Sequence, residues 1–432
     1  MNEPTCRSQS WKQPLTRLVL AAMIASAAIV GISGRVLDHR VTPHFYQTAQ
    51  PGPSSNASDL IATIPFELVN NHIVLRVQVN NNRPLSFVLD TGDQYAVINL
   101  DTARALGLKL RGEVRVGGAG AQMATGAFVQ DASFTLPSFA GFSQPVTLAL
   151  PIGHLASRLG QDFDGIIGSE FIQQFVVELD YQAHMIRLHD KTKFSYTGPG
   201  ESLPIQLDHG HPILEADVTP VGRESTKGRF VLDIGAGLSL ALYSPFVKAH
   251  GLPGSDLKTI QSLGGLGAGG ETTGRFGRIS ELKFGKFVIK SPITLFSEDK
   301  AGAFANASLA GNIGARVAMR FRLFFDYSRN RIIFESNSWF DRPFDYAFSG
   351  AKIVAEGANY RTFRIVDVMP ESAATEAGLQ KDDVITAVNG QIASELTLSE
   401  LNRMFEQTVA YQLTIRRGTE VLQLKLTPKM MI

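Results

Sequence analysis

The 432-residue chain holds a single cysteine, Cys6, in its extreme N-terminal segment. A disulfide framework, a thiol nucleophile and a cysteine-ligated metal are therefore excluded downstream. Charge of one sign is equally absent. Forty-one Lys and Arg oppose 40 Asp and Glu, for a net charge of +1. That balance gives no electrostatic case for a nucleic-acid partner. Short basic pairs such as Arg416-Arg417 read as solvated surface. The nine histidines show no His-Glu-x-x-His and no paired-ligand spacing, so no metal is expected. The glycine-dense stretch 264–270 lacks the Lys-Ser/Thr of a phosphate loop, and no Gly-x-Ser-x-Gly elbow occurs. No organic cofactor is implied either.

What remains is ordinary globular composition, 44% hydrophobic and 19% charged, over a length that suggests two or three domains. Arg7, Lys12 and Arg17 precede an unbroken apolar or small-residue run over 18–32, and Gly31-Ile32-Ser33 resembles a cleavage site. Residues 1–34 are therefore expected to target a membrane, either as a cleaved signal peptide or as a retained anchor. The run's length lies between the two cases. Beyond it no stretch is long and apolar enough to cross a bilayer, so membrane contact is expected only through this segment. Residues 35–60, rich in Pro, Ser, Asn and Gln, read as a flexible linker.

From residue 61 the pattern becomes short Val/Ile/Leu/Phe runs broken by Gly, Asn and Pro. His72-Ile73-Val74-Leu75-Arg76-Val77-Gln78-Val79 is one example of an expected strand. Helices are few and short, near 100–106 and 244–250. Self-comparison is the informative step. Phe87-Val88-Leu89-Asp90-Thr91-Gly92 recurs as Phe230-Val231-Leu232-Asp233-Ile234-Gly235. Leu106-Gly107-Leu108 recurs as His250-Gly251-Leu252, and Gly118-Ala119-Gly120 as Gly267-Ala268-Gly269. Gly165-Ile166-Ile167-Gly168 recurs as Gly311-Asn312-Ile313-Gly314. The stretch from Phe175 to Asp180-Tyr181 recurs as Phe321 to Asp326-Tyr327. Five landmarks keep one order and a shift near 145 residues. The body is thus expected to be two copies of one β-rich unit, 61–195 and 196–340.

Each copy places Asp-x-Gly directly after an apolar strand. A carboxylate at a buried strand end sits in low dielectric. Two such carboxylates face to face cannot both ionise and share one proton. One can then act as base on a water while the other protonates a carbonyl. A glycine after the Asp-x step lets the backbone turn beside the carboxylate without a side chain in the way. A two-fold pseudo-dimer would bring the two acids together at its axis. One isolated Asp-Thr-Gly is a weak signal, and duplication in register is what gives it weight.

Apolar-apolar-Asp-Thr-Gly, a glycine-rich hairpin and then apolar-apolar-Gly before a short helix resemble the retropepsin-like aspartic peptidases over residues 61–340. The resemblance implies a pepsin-type bilobal arrangement with Asp90 and Asp233 as the dyad, supported by Thr91, Gly92, Ile234 and Gly235. Flaps over 114–129 and 263–276, carrying Gly118, Gly120, Gly267 and Gly269, would close over a peptide. It implies a peptide or protein substrate and a monomer that is internally a pseudo-dimer. Two positions depart from the family. Ile234 lacks the hydroxyl that braces the paired loops, and Asp93 stands where a small residue is usual. Asp93 is expected to face solvent or to cap a turn.

A third region begins near residue 350. Pro370-Glu371-Ser372-Ala373-Ala374, Ala377-Gly378-Leu379 and Asp383-Val384-Ile385-Thr386-Ala387-Val388-Asn389-Gly390 resemble a bacterial PDZ domain of periplasmic proteases, over 350–428. Such modules add an extended peptide to a sheet edge and often grip a C-terminal carboxylate. The expected peptide-binding residues are Tyr360, Arg361, Thr362 and Phe363. The fold class expected is mainly β: a bilobal pseudo-two-fold β-barrel body plus a small α/β PDZ domain. The function implied is an exported aspartic endopeptidase, periplasmic or anchored in the inner membrane facing the periplasm. The alternative is a weak or inactive pseudo-peptidase that holds peptides without cutting them.

Overall fold

The computed structural model describes residues 59–142, 144–344 and 348–432, together with the short strands Leu18–Val19 and Met23–Ile24. Apart from those two strands the expected leader over 1–34 lies outside the described residues, as does all but the end of the spacer over 35–60.

Two large sheets repeat one another strand for strand. The first runs from the hairpin Lys109–Gly117 and Met123–Gln130 through Thr147–Leu150, Ala96–Asn99, Gly165–Ile167, Leu85–Leu89 and His72–Val79 to Phe134–Leu136 and Phe139–Phe142. The second runs from the hairpin Ile260–Gly267 and Gly270–Arg278 through Ile293–Ser297, Leu240–Leu242, Gly311–Gly314, Thr226–Asp233 and His211–Thr219 to Glu281–Phe284 and Phe287–Lys290. Leu85–Leu89 is buried at every position, and its parallel neighbour Gly165–Ile167 is as well. That is why both read as continuous apolar runs, as strands covered on both faces do. His72–Val79 instead exposes Arg76 between buried Val74 and Val77.

A third sheet joins the halves. Its order is Glu201–Pro204, Arg331–Ser336, Phe321–Asp326, Val176–Asp180, Met185–His189 and Leu60–Pro65, three strands from each copy. The central antiparallel pair crosses the pseudo-axis, with Leu179 opposite Leu323 and Glu178 opposite Phe324. Glu178 is fully buried there. It accepts from Arg187 at 2.6 Å and from the Arg322 Nε at 2.8 Å, and shares a 2.9 Å contact with His189 Nε2. Burial alone would raise its pKa. The His189 hydrogen bond and the two guanidinium groups outweigh burial and hold it at about 2.

The C-terminal module has its own core, built around Ile353, Phe363, Ile365, Leu398, Leu401, Leu413 and Ile415. Its sheet order is Ala351–Glu356, Thr362–Val368, Val384–Val388, Tyr411–Arg417 and Glu420–Leu426. Asn389 and Gly390, with φ of 50° and 83°, make the tight turn that their sequence suggests. The helix Leu398–Met404 opens with a capping box between Thr397 and Glu400.

Candidate active site

Asp90 and Asp233 end equivalent strands, Leu85–Leu89 and Thr226–Asp233, which leave their sheets at the pseudo-axis. Asp90 is 2% exposed and Asp233 0%. The two carboxyls are hydrogen-bonded to each other. Each also packs on the other loop's glycine. A Cβ on Gly92 would lie 2.7 Å from the Asp233 carboxyl carbon, and one on Gly235 would lie 2.0 Å from that of Asp90. Neither glycine needs a special φ. Any side chain there would drive the acids apart.

Backbone amides fix the carboxylates. Gly92 N–H donates to Asp90 Oδ1 at 2.7 Å, and the N–H groups of Gly235 and Ala236 donate to Asp233 Oδ1 at 3.0 and 2.9 Å. Thr91 Oγ1 donates to the Leu232 carbonyl at 2.6 Å and accepts from Ile234 N–H at 3.0 Å. One hydroxyl thus ties the first loop to the backbone on both sides of Asp233. Ile234 itself is fully buried in the main core, where its side chain packs instead of bonding.

Burial pushes Asp90 up to about 7, against the downward pull of Gly92 N–H, Asp233 and Gly235 N–H. Burial, the Asp90 charge, the hydrogen bond to Asp90 and the Asp93 charge all raise Asp233. Two buried acids this close cannot both ionise, so the pair holds one proton between them over an intermediate pH range.

Asp93 departs from expectation. It neither faces solvent nor caps a turn. Its side chain is 0% exposed, and neither oxygen has a hydrogen-bond partner among the described residues. Its backbone carbonyl accepts from Ser169 N–H, which pulls the residue inward with the loop. Burial, then the Asp90 charge, raise its pKa well above the usual carboxylate range. A third acid is therefore packed beside the pair.

Three contributors were not singled out from the sequence. Asn312 Nδ2 donates to Asp233 Oδ2 at 2.6 Å, and Tyr243 OH donates to Asn312 Oδ1. Both residues are buried. The signal was present: Asn312 stands where the first copy has Ile166, a polar residue in a fully buried strand. His211 is the other. Its Nδ1 lies 3.4 Å from the Thr91 carbonyl, and burial lowers its ionisation.

The glycine-rich hairpins meet tip to tip. Gln122 N–H donates to the Gly269 carbonyl at 2.9 Å, and Gly269 N–H donates to the Ala119 carbonyl at 2.9 Å. Gly120, at φ 94°, passes so near Gly269 that a Cβ would lie 2.3 Å from its carbonyl oxygen. Gly118 accepts from Ala303 N–H at 3.1 Å, and Gly267 pairs with Gly270 at the second tip. Ala119 is fully buried against Ala236 and Leu238, so the first tip rests on the Asp233 loop. Two short strands pair with the outer strands of these hairpins. Leu18–Val19 runs parallel to Val116 and Gly117, and Met23–Ile24 runs antiparallel to Leu266 and Gly267.

The residues expected to bind peptide in the C-terminal module lie elsewhere than on an open edge. Tyr360, at φ 55°, and Arg361, which donates to the Leu396 carbonyl, form the turn between the module's first two strands. Thr362 and Phe363 begin the second strand, and Phe363 pairs with Ala355 on one side and Ile385 on the other. A strand bonded on both sides has no free row of N–H and C=O for a peptide. The sheet's end strand is Ala351–Glu356, which the sequence reading did not identify.

Residues 75–171 match the family model "Aspartyl protease", and residues 342–416 match "PDZ domain". Serine protease HTRA1 from Xenopus laevis is 35% identical over 65 residues, which is 15% of this chain and 14% of that protein. The chain thus spans about one seventh of the length of that curated relative. The crystal structure of the HtrA3 PDZ domain bound to a phage-derived ligand (FGRWV) aligns at 23% identity over 19% of this chain and 85% of that one, with a TM-score of 0.18. The photosystem II D1 C-terminal processing protease aligns at 20% identity over 20% of this chain and 23% of that one, with a TM-score of 0.18. The chain thus carries an aspartyl protease domain match in the first copy of its body and a PDZ domain match at its C-terminal end.

Proposed function

We propose that the chain is an aspartic endopeptidase in which Asp90 and Asp233 activate one water between them. The observation that carries this is the mutual packing of the two acids, each on the other loop's glycine, with one hydrogen bond between them. Asp90, the charged partner, takes the proton from water. Asp233, the protonated partner, donates to the scissile carbonyl as the water attacks. The tetrahedral intermediate collapses when the amine leaves with a proton from the dyad. The hairpins exclude bulk water and hold the substrate as an extended strand. That each hairpin already takes a short added strand along its outer edge, Leu18–Val19 on the first and Met23–Ile24 on the second, supports that binding mode. The PDZ module binds peptide and recruits or selects substrate. We further propose that the chain acts as a monomer, exported to the periplasm and cleaved from or held by its apolar leader.

The test is hydrolysis of unfolded casein by residues 35–432 from acidic to neutral pH, beside Asp90→Asn and Asp233→Asn. Cleavage by the unsubstituted protein alone supports the dyad. Equal cleavage by all three, or none by any, removes it. The rival reading, a peptide-holding pseudo-peptidase, draws on the buried and unpartnered Asp93 beside the pair. Tight binding of casein without cleavage would favour it.

A further inference from the structure

The C-terminal module leaves the sheet edge Ala351–Glu356 beside the helix Leu398–Met404, the two walls between which a PDZ module takes an extended peptide. Both walls are already touched by one segment of the peptidase body. The helix Ala156–Leu159 packs on the edge strand. Val354, whose side chain points away from the module's own core, is only 4% exposed there. Gly160, at φ 81°, abuts the opposite wall so closely that a Cβ would lie 2.6 Å from Leu398 Cβ. Asn70 stitches the same place. Its Nδ2 donates to the Leu159 carbonyl at 2.9 Å, its N–H donates to Ser399 Oγ at 3.4 Å, and its Oδ1 accepts from Asn402 Nδ2 at 3.4 Å. A pocket of about 520 Å³ stays open beside this contact, lined among others by Glu67, Asp162, Tyr360, Arg361 and Arg403.

From this seam, contacts lead to both moving parts of the active site. Arg158, next to Leu159, and Lys352, on the edge strand, both pair with Glu271 of the second hairpin, at 3.4 and 3.0 Å. Asn71, next to Asn70, donates to the Gly237 carbonyl in the Asp233 loop at 3.1 Å. Arg316 donates to that same carbonyl at 3.2 Å and sits 3.8 Å from Glu406, just past the end of the module's helix.

We propose that residues 156–160 are the resident occupant of the PDZ groove, and that an incoming peptide strand must displace them. Displacement frees Arg158 and Lys352 from Glu271 and loosens the second hairpin. Groove binding and cleft opening are then one event, and the module works as a gate. This rests on the peptidase reading for its consequence, but its structural half does not.

The test uses the full chain and hydrogen–deuterium exchange of residues 156–161, 351–356 and 270–278. Asn70→Gly keeps the left-handed backbone, at φ 47°, and removes both side-chain bonds of the stitch. Two lost hydrogen bonds should speed exchange by about tenfold at 156–161 and 351–356, and the increase should extend to 270–278. Glu271→Gln should raise exchange at 270–278 alone. Faster exchange at 156–161 with 270–278 unchanged overturns the coupling. No change at 351–356 overturns the occupancy. As a second arm, Asn70→Cys with Ser399→Cys, in a Cys6→Ser background, locks the seam when oxidised. Casein hydrolysis should fall on oxidation and return with dithiothreitol, and equal rates in both states overturn the gate. If no form of the chain cuts casein, the peptidase reading fails and the exchange arm still decides the occupancy.

Discussion

The two copies of the body share a topology strand for strand, yet their active-site loops are not equivalent. The first carries Asp90-Thr91-Gly92-Asp93 and is backed by Ile166. The second carries Asp233-Ile234-Gly235-Ala236 and is backed by Asn312, itself held by Tyr243. The hydroxyl brace is supplied from the first side only, and the amide donor from the second only. The extra buried acid belongs to the first. A homodimer could not make these choices separately. One chain with two copies can, and the result is a pair whose two carboxyls sit in different surroundings, Asp233 with the Asn312 amide and Asp90 beside Asp93. Residues whose geometry is shared, Gly92 and Gly235, are kept in both copies because each must admit the other loop's carboxylate.

Several substitutions would break or sharpen that comparison. The largest effect is expected from Asp90→Asn or Asp233→Asn, which should cut casein hydrolysis on the order of 10²–10⁴-fold while leaving thermal unfolding nearly unchanged. Next comes the shared sheet, where Glu178 faces Phe324 across the axis. Glu178→Gln strands Arg187, and should cost about 3–5 kcal/mol in urea unfolding at neutral pH. Because the carboxyl is held at about 2, its contribution is present above the ordinary carboxylate range. It is lost as pH falls through that value, so the gap between variant and parent should close in strong acid.

Thr91→Val removes the two bonds to Leu232 and Ile234, at about 1–3 kcal/mol for the buried groups left unpaired. Thr91→Ser should recover most of it. Asp93→Ala makes the first loop resemble the second. Asp93 is raised by burial, so its stabilising contribution is present below the ordinary carboxylate range and lost as pH rises through its folded value. The variant should therefore gain on the parent between strongly acidic and neutral pH in unfolding measurements. The Asp93 charge also raises Asp233, so the alkaline limb of the pH–rate profile should move to lower pH. The smallest change is expected from Asn312→Ile, which copies the first half. Losing the amide donor should shift that limb upward and leave the fold intact.

Much of this was legible in the chain. The strand runs, the duplicated landmarks and the Asn389-Gly390 turn are local patterns that short-range sterics and burial enforce. The C-terminal module shows where that legibility stops. Phe363 read as the rim of a peptide site because it opens an obvious strand. The preceding strand, Ala351–Glu356, mixes Lys352 and Glu356 among its apolar residues, and the sheet's end strand was not read from it. Asp93 was misplaced for a related reason. A carboxylate after a glycine usually turns toward water, and only packing against Ser169 and the paired loop draws it inward.

Composition and repetition by themselves set the class of the protein, the two acids and the presence of a third module. Those depend on the order of residues along tens of positions. Tertiary structure alone decided how closely the two acids pack, what Asn312 and Tyr243 contribute, and where the helix Ala156–Leu159 meets the C-terminal module. Each of these depends on dielectric and on contacts between segments far apart in the chain, which no local pattern encodes.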